Sequence, residues 1–415
     1  MIFVVEMQEN SKVILVIDWS NLMFRSLYMH QLFGNATSSY EQMEDLKSFT
    51  NKFAIDVCSI INMFRPNNII IATDSQHVWR KDIDEDYKDG RTKDPNINWE
   101  NIYKCSDDLQ AILSKHGMNV AKVDRAEADD IMTMVKEVVM EDYPNYNIII
   151  VSADADIRQL ISFNKETHQY CVVYNTTGRG KNSKRRMYVT QEFKDWVEEP
   201  DKCDVFFQGY EPSKHYMTET LTNNPVIELF VENPNNVILG KIMCGDDGDN
   251  VKSFYGFYKN GRWVRITPSK STKILEMLGA TDVHSLLESA PKMKEVFEKV
   301  CKKPIDDCDF NERLHHQRLM MELNSELFPK WIQQYTETID YMIRNNSVNM
   351  FQNLRAQELL KGSSYAEYDK PKSIAADVFN DIEKRSGKTI KRTKSNEVPN
   401  INASSSDIIN TLFDF

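Results

Sequence analysis

Residues 148–156 read Ile-Ile-Ile-Val-Ser-Ala-Asp154-Ala-Asp156, and the architecture of the chain can be worked out from them. A short unbroken apolar run of this kind fits a strand buried on both faces of a parallel sheet, and its acids begin where the strand must end. The same grammar occurs twice upstream, where Val13 to Ile17 runs into Asp18 and Ile69 to Thr73 runs into Asp74. Between those two runs Phe49, Phe53, Val57, Ile60 and Phe64 recur at helical spacing, and Ile131, Val135 and Val138 mark a further helix before the third. Strands alternating with amphipathic helices predict an α/β layer architecture. In such sheets the carboxyl ends of the strands line one crevice, so Asp18, Asp74, Asp154 and Asp156 are expected to converge.

From Trp79 to Trp99 the chain is charged and poor in apolar residues, which predicts a helical lid above the crevice rather than part of the core. From Lys165 to about Asn224 the pattern weakens. A hairpin is expected around Thr177, Gly178 and Gly180, and Lys181, Lys184, Arg185 and Arg186 form a basic cluster that reads better as a solvated loop than as a phosphate contact. A mainly helical region is expected from Pro225 to about Leu360, with one helix over Val237 to Cys244 and another opened by Thr267, Pro268 and Ser269. After Gly362 the chain turns polar and basic, as a flexible linker would, until Ile408, Ile409, Leu412, Phe413 and Phe415 restore hydrophobicity at the end.

A length of 415 residues fits two domains and an appendage. The formal net charge of -11 argues against coating nucleic acid by bulk positive charge, so any polyanion must meet local patches. No apolar run approaches the roughly 20 residues that cross a bilayer. The opening Met1 to Met7 carries Glu6 and no basic start, so a secretory signal is not expected and a cytoplasmic location is. Seven cysteines without a CxxC pair read as reduced thiols.

Ala126-Glu127-Ala128-Asp129-Asp130-Ile131 places Glu127 and Asp130 on one helical face. Acids are favoured in any first helical turn, and Asp154 and Asp156 also suit an ordinary turn. Gathered in one crevice they pose a different problem. Two like charges about 4 Å apart repel by roughly 4 kcal/mol even at an effective dielectric of 20, and no buried Arg or Lys is evident in these segments to offset this. An all-oxygen set favours Mg²⁺, with Mn²⁺ as a substitute, and two ions suit a phosphoryl displacement. Gly245-Asp246-Asp247-Gly248-Asp249-Asn250 reads either as a solvated turn or as a loop bringing Asp246 and Asp249 to a second ion, with Asp247 facing solvent.

Taken in order, Val-Ile-Asp18-Trp-Ser, Ala-Thr-Asp74, Trp79-Arg80-Lys81 through Tyr87-Lys88-Asp89-Gly90-Arg91, Glu127-Ala-Asp129-Asp130, Ser152-Ala-Asp154-Ala-Asp156 and Gly245 to Asn250 resemble the flap endonuclease or 5′-nuclease superfamily, and more closely the ribonuclease H of T-even-type phages. The resemblance covers roughly residues 12 to 163 and 236 to 345. It implies a PIN-like, largely parallel central sheet flanked by helices with an arch (about 79–99), a helical subdomain whose helix-three-turn-helix grips DNA, and a disordered C-terminal tail. The implied domains are 12–230, containing a divergent segment at about 165–230, then 231–361, a linker at 362–406 and a terminal peptide at 407–415.

Carried over residue by residue, the resemblance makes Glu127, Asp129 and Asp154 ligands of a first ion, and Asp156, Asp246 and Asp249 ligands around a second. Asp18 and Asp74 become supporting acids acting largely through bound water, and Asp130 takes a similar outer role. Lys88 and Arg91 match the basic pair that positions the scissile phosphate, with Asp129 and Asp154 at the reacting centre. Arg80, Lys81, Tyr87, Lys88 and Arg91 are expected to meet nucleic acid, as are Thr267, Ser269, Lys270 and Lys273 at a helix start. Ser253 to Arg265 interrupts the hairpin at which cellular members hold potassium, which removes the basis for that ion here. Asp407 to Phe415 resembles the sliding-clamp-binding peptides of T-even phage polymerases, with Ile408, Ile409, Leu412, Phe413 and Phe415 as anchors; folding back onto the body is the alternative.

The expected activity is Mg²⁺-dependent 5′-to-3′ exonuclease and flap cleavage, with two ions, on DNA and RNA–DNA duplexes bearing 5′ ends or flaps, removing lagging-strand RNA primers in phage replication. The chain would work as a monomer in the host cytoplasm, with the sliding clamp as partner and single-stranded-DNA-binding protein as an open addition. Alternatives are a PIN-type ribonuclease on structured RNA, or a scaffold binding DNA and clamp without catalysis.

Overall fold

The computed structural model describes residues 11–33, 38–177, 185–199, 212–259, 262–302, 310–345 and 353–366. In chain order the elements are β1 (Lys12–Asp18), α1 (Trp19–Phe33), α2 (Met43–Phe64), β2 (Asn68–Thr73), α3 (Trp99–Lys115), β3 (Asn119–Lys122), α4 (Ala128–Asp142) and β4 (Tyr146–Val151). Next come β5 (Ser162–Phe163), β6 (Tyr170–Asn175), β7 (Arg185–Val189), α5 (Gln191–Glu198), α6 (Pro212–Asn223), β8 (Ile227–Val231) and α7 (Pro234–Cys244). The remainder is β9 (Gly256–Lys259), β10 (Arg262–Arg265), α8 (Pro268–Leu278), α9 (Val283–Glu288), α10 (Ala290–Cys301), α11 (Phe310–Met321), α12 (Lys330–Gln333), α13 (Thr336–Arg344) and α14 (Ala356–Leu359).

These elements form two compact units, the first from Met1–Leu22, Ile61–Gly90 and Gly117–Gln352, the second from Met23–Ile60, Arg91–His116 and Asn353–Phe415. The first unit holds an eight-stranded sheet in the order β3-β2-β1-β4-β6-β7-β8, with β5 beside β6. Its centre is parallel: β1 pairs β2 with Asp18 opposite Ala72, and pairs β4 with Ile17 opposite Val151. Val13 to Ile17 and Ile148 to Val151 are fully or almost fully buried, as continuous apolar runs of central parallel strands should be. The strand order reverses between β1 and β4, the position at which open sheets leave a crevice beyond the carboxyl ends. Asp18 and the Ser152 to Asp156 segment leave the sheet there.

The weak middle segment supplies β6, β7 and β8. The hairpin expected near Thr177 is the antiparallel β6–β7 pair, with Val173 opposite Tyr188; Gly178, Gly180, Lys181 and Lys184 lie outside the described residues. The expected helical region begins instead with a strand, since β8 pairs β7 in parallel, and contains the β9–β10 hairpin. Thereafter it is helical, with Ile242, Met243, Phe254, Ile274, Phe297 and Leu314 sharing an apolar core.

The 79–99 segment departs from the expected lid in one respect. Trp79 is 4% exposed and packs with the sheet core, while Tyr87 is 3% exposed and joins the helical core. The few apolar residues of this charged segment are the ones that bury.

In the second unit His30 sits between the Tyr40 hydroxyl (2.9 Å) and Ser48 Oγ (2.8 Å). Tyr365, within the stretch expected as linker, is buried and donates to Asp108 of α3 at 2.7 Å. Residues 367–415, which include the terminal peptide and Ile408, Ile409, Leu412, Phe413 and Phe415, lie outside the described residues.

Candidate active site

Three strand ends and one helix start carry the acids. At the end of β1, Asp18 is 5% exposed, with Oδ1 accepting the Asn21 N–H (3.1 Å) and Oδ2 accepting the Ser152 hydroxyl (2.7 Å). Ser152 in turn accepts the Asp154 N–H (3.0 Å), and Asp154 Oδ1 accepts the Asp156 N–H (2.9 Å). Beyond β2, Asp74 Oδ1 accepts the Ala128 N–H at 2.8 Å and so ties the strand end to the first turn of α4. These bonds satisfy backbone donors that a turn would leave open and fix where the carboxylates stand.

The start of α4 is built on buried cations that the sequence did not reveal. Arg80 is 2% exposed, and its Nη1 lies 2.7 Å from Glu127 Oε2 and 2.8 Å from Asp130 Oδ1. Asp130 Oδ2 accepts the Trp79 indole N–H (2.9 Å) and the Glu127 N–H (3.0 Å), capping the helix from within. The Tyr87 hydroxyl lies 3.0 Å from Glu127 Oε2 and 3.1 Å from Asp249 Oδ2. The Lys88 ammonium pairs with Glu127 and lies 3.9 Å from Asp249, while its N–H donates to the Asp249 carbonyl at 2.8 Å. Lys88 has φ +57°, a left-handed conformation costing a non-glycine residue roughly 1–2 kcal/mol, so that backbone bond holds the side chain in place.

The remaining acids come from the loop after α7. Gly245 has φ +68°, and a Cβ there would meet Val251 O at 2.4 Å, so the Asp246–Val251 bridge requires glycine. Asp246 Oδ1 accepts the N–H groups of Gly248 (2.7 Å) and Asp249 (3.2 Å). Lys241 of α7 pairs through its ammonium with Asp246, and with Asp156 Oδ1 at 2.5 Å. Asp247 is exposed and pairs with Arg265 at 2.5 Å.

The electrostatics follow from this placement. Burial and the neighbouring Asp74 push Asp18 up to about 7, and burial with Asp154 pushes Asp156 up to about 7 against the pull of Lys241. Asp129 is raised well above the usual carboxylate range by burial, then by Asp154 and Asp18; burial also raises Asp154. Glu127 and Asp246 go the other way. Burial opposes their ionisation, but Lys88 and Arg80 hold Glu127 below its ordinary value, and Lys241 does the same for Asp246.

Asp18, Asp74, Asp129, Asp154, Asp156, Asp246 and Asp249 thus fall within one electrostatic neighbourhood. Buried hard oxygen donors raised first by burial and then by neighbouring carboxylates, as Asp18, Asp129 and Asp156 are, are the chemistry a divalent cation relieves. The side chains are not a closed cage as placed: among the described residues no group of three His, Cys, Asp or Glu is arranged to hold an ion.

Two expected nucleic-acid contacts need correction. Arg80 and Tyr87 are too buried to meet nucleic acid; they brace Glu127 from beneath. Asp130 is 0% exposed with its oxygens turned to Arg80, Trp79 and a backbone N–H, and Glu127 is engaged by Arg80, Tyr87 and Lys88. Lys81 is exposed and pairs with Asp89 at 2.9 Å. Arg91 belongs to the second unit. Thr267, Ser269 and Lys273 are exposed at or near the start of α8, with Lys270 partly so. Lys241 was not anticipated; its only signal is being the sole basic residue of an apolar helix, five positions before Asp246.

Residues 13–195 match the family model of the 5′-3′ exonuclease N-terminal resolvase-like domain. Over 288 residues the chain is 26% identical to a 5′-3′ exonuclease of Mycoplasmopsis pulmonis, covering 68% of this chain and 75% of that protein. Over 164 residues it is 26% identical to DNA polymerase I of Lactococcus lactis, covering 38% of this chain but only 17% of the polymerase. A crystal structure of the bacteriophage T5 flap endonuclease, as a pseudo-enzyme–product complex with DNA and metal ions, aligns with a TM-score of 0.49 at 14% identity, covering 80% of this chain and 100% of that one. Among the described residues no helix is long and apolar enough to cross a membrane.

Proposed function

We propose, from the membership of this chain in the flap endonuclease / 5′-nuclease superfamily, that it is a two-metal phosphodiesterase cutting DNA and RNA–DNA duplexes from 5′ ends and at 5′ flaps. The observation that supports this best is the gathering of Asp129, Asp154, Asp156, Asp246 and Asp249 beside the Lys88 ammonium at the switch point of the sheet. Asp129 and Asp154 would hold one ion, and Asp156, Asp246 and Asp249 the other, with Asp18 and Asp74 fixing the strand ends that carry them. Mg²⁺, or Mn²⁺ in its place, would supply Lewis-acid stabilisation of the attacking and leaving oxygens.

The protein's own groups do the rest. Lys88 stands over the site on a fixed backbone, and its ammonium would donate to a non-bridging oxygen of the scissile phosphate as charge develops there. Glu127, kept ionised by Arg80 and braced by Tyr87, holds that ammonium until substrate arrives. The start of α8 offers the exposed hydroxyls of Thr267 and Ser269 with Lys270 and Lys273, suited to the phosphates of a duplex held away from the cut.

The same reading assigns 12–230 to the nuclease domain with its arch, 231–361 to duplex binding through a helix-three-turn-helix, 362–406 to a linker and 407–415 to a clamp-binding peptide. It makes the protein a counterpart of T-even phage ribonuclease H, removing lagging-strand primers, with single-stranded-DNA-binding protein as an open partner. The test is digestion of a 5′-labelled RNA–DNA hybrid and of a 5′-flap duplex, with Mg²⁺ and with chelator. Short 5′-terminal products that require Mg²⁺ are expected; intact substrates, or cleavage that persists in chelator, would overturn the assignment.

A further inference from the structure

The second half of the acidic site contains a cation of its own. Lys241 projects from α7, whose Ile238, Leu239, Ile242 and Met243 are buried, and α7 packs against the turn Asp156–Leu160. Its ammonium is shared between Asp156 Oδ1, at 2.5 Å, and Asp246 Oδ2. Those two oxygens come from different elements, and the nitrogen fills the space between them. The other half differs in degree: among the described residues no ammonium stands within ion-pair distance of Asp129 or Asp154, which feel Lys88, and in the case of Asp154 also Lys241, only from farther off.

We propose that Lys241 stands in for the second divalent ion, neutralising Asp156 and Asp246 until an arriving phosphate draws its ammonium away and frees the pair for metal. This deepens the metal-dependent reading above and rests on it. Asp156 and Asp246 would hold a hard divalent ion with the same oxygens that the ammonium now engages, so the two would compete. The buried face of α7 fixes the backbone, leaving the flexible four-carbon stem as the means of exit. A phosphodiester entering the site offers the displaced ammonium a new anion. The two ions therefore load unequally: the first on Asp129 and Asp154 in the free protein, the second together with substrate.

The test is a Mn²⁺ titration of the full chain without nucleic acid, with free ion followed by electron paramagnetic resonance. Wild type should bind one ion and a second about tenfold or more weaker, the size of an ordinary coupling between sites. Lys241→Met should tighten the second ion by about that factor and leave the first unchanged, whereas Lys241→Arg should keep it weak. In chelator Lys241→Met should melt below wild type, and saturating Mn²⁺ should close the gap. Lys241→Gln repeats the comparison if methionine impairs folding. Equal ions in wild type, an unchanged or weakened second ion in Lys241→Met, or a melting deficit that Mn²⁺ does not repair would overturn the role of Lys241 while leaving the metal site standing. A wild type that binds no Mn²⁺ would instead remove the reading on which it rests.

Discussion

Removing the Arg80 guanidinium should unsettle the whole Glu127 corner of the site. In Arg80→Met the stem still packs near Trp79, whose ring centroid lies 4.5 Å from the guanidinium carbon, and near Phe328 at 5.9 Å. Two ion pairs vanish, those at 2.7 Å to Glu127 and 2.8 Å to Asp130. Breaking a buried pair by deleting one partner costs about 3–5 kcal/mol, because the other charge stays in place without compensation. Here Glu127 keeps Lys88 and Tyr87, and Asp130 keeps the Trp79 indole and one backbone N–H, which sets the expectation at the lower end. Urea denaturation at neutral pH in chelator should show a loss of about 3 kcal/mol. Adding Asp130→Asn to that variant removes one stranded charge and should restore about 1–2 kcal/mol. A loss below about 1 kcal/mol, or no recovery in the double variant, would refute the idea that Arg80 is the counter-charge on which the start of α4 is built.

Gly245→Ala should destabilise by about 3 kcal/mol, since its Cβ meets backbone at 2.4–2.6 Å, and thermal melts check this. Lys88→Ala should lower kcat by about 100-fold with KM changed only a few-fold; equal effects on both would make it a docking residue. Asp154→Asn should abolish cleavage while raising stability in chelator, because it removes one repelling charge, and paired melts with activity assays test both halves. Asp18 and Asp156 titrate near 7 in the fold against an ordinary 3.8, so the folded state binds more protons between those values. Stability in chelator should therefore fall as pH rises from about 4 to about 7, and Mg²⁺ should flatten that slope in denaturant titrations.

The central strands were legible because burial on both faces leaves no polar positions in Val13 to Ile17 or Ile148 to Val151, and because each run stops at an acid. The edges were not. β3 is Asn-Val-Ala-Lys with one buried residue, and β8 exposes Glu228, Phe230 and Val231, so neither carries the pattern of a core strand. The acids of the site were visible, but their counter-charges were hidden by chain distance. Arg80 sits in a segment whose overall polarity suggested a solvated lid, although Trp79 and Tyr87 bury it under the α4 start. Lys241 meets Asp156 only because α7 packs on the turn after β4, a contact between residues far apart in sequence. Strand-end acids crowded into one crevice were thus legible from the sequence, while the cations that balance them needed the fold.

Crystals soaked in saturating Mn²⁺ and measured for anomalous scattering would test the metal assignment most directly. Two peaks about 3.5–4 Å apart are predicted, one touching Asp129 and Asp154 and the other touching Asp156, Asp246 and Asp249. Peaks only at unrelated surface acids, or none within reach of these five side chains, would contradict it.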